Sequence, residues 1–196
     1  MRDGFVKVGA ATPDILVADC VHNREEIVKK VKEMAEAGTK VMAFPELCIT
    51  GYTCSDLFWQ ELLLVRAKEE LHKLEEELEE VEGLIIVGLP LEFNQKLYNT
   101  AAVISGGKVL GFVPKHHLPN YAEFYEARHF TAGRAFEGMV NWYGREVPFG
   151  QNLLFVCEEL PQLVTAVEVC EDLWAPNPPS ISHALSGATL IINPSA

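Results

Sequence analysis

Three side chains of complementary chemistry each follow the end of a β-like run: Glu46 after VMAFP, Lys115 after VLGFVP and Cys170 after LVTAVEV. Ligands of α/β sheets usually bind at strand ends. Pro45 and Pro114 directly precede two of the three and fix the chain's exit from the strand. Cysteine is a nucleophile only as the thiolate. A carboxylate within reach can take its proton and later return it to a leaving amine. A lysine ammonium favours the thiolate and stabilises the oxyanion of a tetrahedral intermediate. The first amides after Cys170 add donors to that oxyanion if they open a helical turn. Such a set performs acyl transfer from an amide or nitrile through a thioester, with ammonia leaving.

The stretch AVEVCEDLW, residues 166–174, sets a problem for this reading. Glu171 and Asp172 follow the thiol at once, and negative charge raises a thiol pKa. Lys115 is the cation that offsets them. The spacing by itself also permits a plainer role. A cysteine among apolar residues often packs as a small hydrophobe, and a glutamate or lysine after a strand is commonly solvated.

The elements that position these residues follow from periodicity. FVKVGAA (5–11) reads as a short strand. Asn23 is placed to cap a helix running through REEIVKKVKEMAEAG, with Ile27, Val28, Val31, Met34 and Ala35 at helical spacing and Gly38 at its end. TKVMAFPE (39–46) reads as a buried strand, and ITGYTCSDLF (49–58) as a loop. A second helical pattern runs to Glu82, striped by Leu64, Leu71, Leu74, Leu78 and Val81. The eight glutamates from Glu69 to Glu82 are expected on its solvated face. GLIIVGLP (83–90) is a further strand. LYNTAAVIS and VLGFVPK form a hairpin about Gly106-Gly107. HHLPNYAEFYEARHF (116–130) is irregular to helical and rich in aromatics. His116, His117, Glu126 and His129 within it lack diagnostic ligand spacing, so no metal is expected. Strands at 152–159 and 162–169, a short helix near 182–186 and a last strand in ATLIINPSA complete an α/β layered pattern. The chain stops just after a strand that reads as buried, as a fragment would.

The 196 residues and 48% hydrophobic content suffice for one core. No apolar run reaches the ~18 residues of a membrane span, and MRDGFVKVGAATPD lacks a signal-peptide pattern. A net charge of −12 opposes binding to nucleic acid and anionic membranes. Cys20, Cys48, Cys54, Cys157 and Cys170 are odd in number and scattered, which suits reduced thiols in the cytoplasm; no CxxC pair suggests zinc.

FPELCITGY, VPKHHLPNY and VEVCEDLW resemble the three motifs of the nitrilase, or carbon–nitrogen hydrolase, superfamily, in the same order and over essentially the whole chain. The resemblance implies a four-layer α-β-β-α sandwich, truncated here at its C-terminus, spanning residues 1–196. GYTCSDLF, PNYAEFYEARHF and VCEDLW further resemble the glutamine-hydrolysing domain of glutamine-dependent NAD synthetases. The roles implied are nucleophile for Cys170, general base for Glu46 and oxyanion stabiliser for Lys115. Glu126 or Glu123 would be a supporting glutamate. Tyr52, Tyr121, Phe124 and Trp174 would line the glutamine pocket, and Glu171 would hold the substrate's α-amino group. The family needs no cofactor in this domain. ATP, Mg and deamido-NAD belong to a synthetase domain joined in cis and absent from this chain, and homo-oligomerisation is implied. A stand-alone amidase for another small amide, a non-catalytic scaffold of the same fold and a redox-sensing thiol are the alternatives.

Overall fold

The computed structural model describes residues 4–133 and 137–196. In chain order they form β1 (Val8–Ala10), α1 (Cys20–Glu36), β2 (Val41–Ala43), α2 (Glu61–Glu77), β3 (Leu84–Phe93), β4 (Lys96–Ser105), β5 (Lys108–Pro114), α3 (Glu126–His129), β6 (Gly138–Trp142), β7 (Arg145–Phe149), β8 (Leu154–Val156), β9 (Val164–Val167), α4 (Pro179–Leu185) and β10 (Leu190–Ile192). Tight 3₁₀ turns cover Tyr52–Trp59, where a loop was expected, and Cys170–Leu173.

Seven strands form one sheet in the order β1-β2-β3-β4-β5-β7-β6. Its β1, β2 and β3 are parallel, whereas β3, β4 and β5 run as an antiparallel meander. A second sheet, β10-β9-β8, pairs β10 to β9 in parallel and β8 to β9 antiparallel. Strand alternation assigns the faces. Ile85, Val87 and Leu89 of β3 join Ile27, Val31, Leu71 and Leu74 of the two long helices in one core. Ile86 points the other way and shares a second core with Ala101, Val103 and Val113, with Val167 at the end of the second sheet's central strand and with Val169 just after it. On the far side of that strand, Glu168 receives the Ser180 N–H of α4. The layers are therefore helices, sheet, sheet and helix, as expected.

Several local expectations are corrected. Asp19, not Asn23, caps α1, accepting the His22 N–H at 3.1 Å. Asn23 is buried inside the first turn, where its side chain bonds both backbone groups of Leu16 and the carbonyl of Ile49. α2 ends at Glu77 rather than Glu82, and Glu70 and Glu75 are buried rather than solvated. Glu70 pairs with Arg24 of α1 and with Lys73. Glu75 accepts the Val109 N–H, the Trp142 indole and the Arg145 guanidinium, tying α2 to the far end of the large sheet. β3 continues through Pro90. Its partner Asn99 turns its carbonyl to the Lys115 N–H instead, so proline breaks no ladder bond there. The hairpin about Gly106-Gly107 is present, and an unforeseen one joins β6 to β7 through Tyr143-Gly144.

Candidate active site

Glu46 leaves β2 on a tight turn in which Leu47 has φ +52° and the Gly51 N–H bonds the Leu47 carbonyl at 2.8 Å. β3 passes so close that a Cβ on Gly88 would lie 2.2 Å from the Leu47 nitrogen. Only glycine fits there, and its absence of side chain is what lets the Glu46 turn sit on the sheet. Lys115 follows β5, fixed by its N–H to Asn99 and by the Gly133 N–H to its carbonyl, both 2.8 Å. Cys170 stands just past β9 at φ +46°, a left-handed conformation that costs a non-glycine residue ~1–2 kcal/mol. Its N–H bonds the Pro194 carbonyl at 2.9 Å, which fixes the strained turn against the segment after β10.

The side chains converge. Lys115 Nζ donates to Glu46 Oε1 and to Glu126 Oε1, each at 2.6 Å. Asn99 Nδ2 donates to Glu46 Oε1 at 2.6 Å and to Glu126 Oε2 at 3.4 Å. The Tyr52 hydroxyl donates to Glu126 Oε1 at 2.8 Å. Glu46, Asn99, Lys115 and Glu126 are all buried. Glu46 Oε2 is buried too and has no hydrogen-bond partner. With both glutamates ionised, two negative charges face one positive charge out of water.

That imbalance shapes the ionisation. Burial, then the Glu46 charge, push the Glu126 carboxyl above the usual range, against the pull of Lys115 and Tyr52. Burial works to lower the Lys115 ammonium, but the two carboxylates outweigh it and raise it. The Cys170 thiol is pushed up to about 11 by burial and by Glu46, with Lys115 opposing. At neutral pH Cys170 therefore rests as a thiol, not a preformed thiolate.

Asp172 joins the two sheets at this point. Its carboxylate accepts the N–H groups of His116 and His117, at 3.0 and 2.6 Å, and that of Val169 at 3.0 Å. The segment after Lys115 is thus held to the turn carrying Cys170. Burial raises the Asp172 carboxyl, while these backbone donors resist the shift. Asn99 was not singled out in the sequence, and Asp172 only as a negative charge beside the thiol. Asparagine within a strand and the second acid of a pair carry no signal until the fold shows what they bond.

The remaining expected residues spread outward. Glu126 rather than Glu123 reaches Lys115; Glu123 is exposed. The Tyr121 hydroxyl donates to both Glu171 oxygens, at 3.1 and 3.0 Å, on the solvent side, and the Phe124 ring stands edge-on to Tyr121. Trp174 is 74% exposed and makes no part of the buried cluster. His129 packs its ring against Phe58 and Trp59. Among the described residues no group of three or more His, Cys, Asp or Glu side chains is arranged to hold a metal.

The family model described as "Carbon-nitrogen hydrolase" matches residues 7–196. The chain is 39% identical over 192 residues to the glutamine-dependent NAD(+) synthetase of Mycobacterium tuberculosis, covering 98% of this chain and 28% of that protein. It is 35% identical over 181 residues to the Aquifex aeolicus protein of the same name, covering 92% and 28%. Among solved structures, a glutamine-dependent NAD(+) synthetase from Cytophaga hutchinsonii superposes with a TM-score of 0.85 at 30% identity, covering 97% of this chain and 30% of that one. An amidase from Nesterenkonia shares the fold, with a TM-score of 0.72 at 20% identity over 100% of this chain and 66% of that one. The chain spans less than a third of the length of the synthetases it matches.

Proposed function

The chain belongs to the carbon–nitrogen hydrolase family, and from that membership we propose that its site hydrolyses the side-chain amide of L-glutamine to glutamate and ammonia. The observation that carries the reading is the division of labour on Glu46. Oε1 is held by Lys115 and Asn99, while Oε2 is buried, unpartnered and part of a carboxylate that acts on the Cys170 thiol. Glutamine as the amide is supported by the printed names of the relatives.

Cys170 Sγ attacks the carboxamide carbon as Glu46 Oε2 takes the thiol proton, so no free thiolate has to form at neutral pH. The oxyanion is stabilised by the Lys115 ammonium. When the C–N bond breaks, Glu46 returns the proton and ammonia leaves, with the acyl group held as a thioester. Glu46 then takes a proton from water, hydroxide attacks the thioester, and glutamate departs with the Cys170 thiol restored. Glu126, fixed by Tyr52, holds Lys115 from its second side. Tyr121, Phe124 and Glu171 line the entrance, where Glu171 receives the substrate's α-ammonium. In a longer polypeptide of the synthetase kind, the ammonia amidates deamido-NAD with ATP and Mg at a separate domain.

The test is labelling with a diazo-ketone analogue of glutamine, followed by peptide mass spectrometry. One adduct on Cys170, suppressed by excess glutamine, supports the reading. Labelling of Cys170 that glutamine does not suppress, but another small amide does, moves the site to that amide. No adduct at Cys170 with either would leave the fold without this activity.

A further inference from the structure

We propose that Asn99, whose side-chain amide lies between the carboxylates of Glu46 and Glu126, is the positioning residue that fixes which oxygen of Glu46 serves as the base. The inference rests on the hydrolase reading of the site and names a residue that the reading itself does not require.

Asn99 sits on β4 and is fully buried, with its carbonyl taken by the Lys115 N–H. One backbone bond therefore sets the lysine and the asparagine in register. From that position Nδ2 reaches Glu46 Oε1 at 2.6 Å and Glu126 Oε2 at 3.4 Å. The other end of the amide is unusual: Oδ1 is buried and has no partner. Buried polar atoms are nearly always paired, and a residue kept only for packing would not leave a carbonyl oxygen unsatisfied. Turning the amide over would set that oxygen against two carboxylate oxygens. The carboxylates thus dictate its orientation, and the orphaned oxygen is the consequence of aiming the donor at them.

The effect on Glu46 is directional. Two donors, Lys115 and Asn99, occupy Oε1, and none occupies Oε2. With Oε1 engaged by both donors, Oε2 is left as the oxygen free to accept a proton. Lys115 alone would not secure this, because a single point donor permits the carboxylate to turn and present either oxygen. Tyr52 gives Glu126 a donor of its own, so Asn99 matters most to Glu46.

The experiment compares Asn99→Leu, which keeps the volume and removes the donor, with Asn99→Asp, which keeps the shape and replaces the donor by an acceptor. Two readouts are followed against pH: kcat/KM for glutamine, and the rate of Cys170 alkylation by iodoacetamide, which needs no substrate recognition. With the donor lost, the acid-side inflection in both profiles moves up by about one pH unit, and kcat falls by roughly ten- to a hundredfold while KM changes little. Asn99→Asp shows the same loss, since an ionised carboxylate at that position repels Glu46 instead of donating to it. A purely structural role would lower the folded fraction and leave the inflections in place. If the wild type hydrolyses glutamine and neither variant moves an inflection, the inference is overturned. If glutamine is not hydrolysed but the alkylation inflection moves in either variant, Asn99 keeps its role and the substrate assignment falls. Should Asn99→Leu not fold, the isosteric Asn99→Asp decides alone.

Discussion

At Cys170 the backbone is strained and the surroundings oppose ionisation of the thiol. The residue is held at φ +46° and its thiol is raised to about 11 from an ordinary value near 9. Cys170→Ala and Cys170→Gly should both abolish hydrolysis. Glycine should nevertheless equal or exceed alanine in melting temperature, since relief of the left-handed strain, ~1–2 kcal/mol, offsets the entropy that glycine adds to the unfolded chain. A glycine variant clearly less stable than alanine would mean the turn is not strained. The raised thiol contributes stability that is fully present below pH 9, where both states hold the proton. It is lost as pH climbs from about 9 towards 11, because the unfolded chain deprotonates first. Measured by denaturant midpoints, the stability of wild type relative to Cys170→Ala should fall between pH 7.5 and 10.5. Glu46, Lys115 and Cys170 were picked out in the sequence because each follows the end of a β-like run and the three motifs around them resemble those of one family. Asn99 was not, because in LYNTAAVIS it sits where any strand residue could, and its value lies in two carboxylates distant in sequence.

Between elements, close approach decides more than propensity does. Gly88 of β3 faces the Glu46 turn with no room for a methyl group, and the atoms it would meet are backbone. Backbone cannot swing aside as a side-chain end can. Gly88→Ala should therefore cost on the order of 1–3 kcal/mol through overpacking. It should also lower kcat far more than the stability loss explains, because the atoms displaced belong to Glu46 and Leu47. Comparing activity per folded molecule with the shift in denaturant midpoint tests this; normal activity per folded molecule would refute it. Similar long-range contacts explain where the sequence misled. Asn23 looks like a cap because asparagine favours helix starts, yet it is drawn inward to bond Leu16 and Ile49. Glu70 and Glu75 look solvated among their acidic neighbours until Arg24 and Arg145 arrive from other elements. The β6–β7 hairpin escaped for a weaker reason, its short strands lying beside an irregular aromatic stretch. By contrast, the β4–β5 hairpin was readable because Gly106 and Gly107 both adopt positive φ in a two-residue turn.

Across the whole molecule, burial of charge is local while the excess of charge is global. The chain carries −12 at pH 7, and among the described residues no helix is long and apolar enough to cross a membrane. Glu70, Glu75, Glu46 and Glu126, which pair with Arg24, Arg145 and Lys115, are buried. Salt screens such pairs little. Pairs such as Lys29–Glu26 and Arg66–Glu69 are exposed and contribute ~0–1 kcal/mol each. What salt can change is mainly the self-repulsion of the uncompensated acidic surface, which disfavours the compact state. Raising NaCl from low concentration to about 0.5 M, where the screening length falls to a few ångström, should therefore raise the melting temperature. The gain is about 2–4 °C for each kcal/mol of repulsion removed in a domain of this size. Potassium chloride should act alike, since screening depends on ionic strength and not on a bound ion. A fall in melting temperature with either salt would show that exposed ion pairs outweigh the net charge. A rise with one salt alone would point to specific ion binding. Only a rise with both identifies the excess of acid as a cost borne by the whole fold.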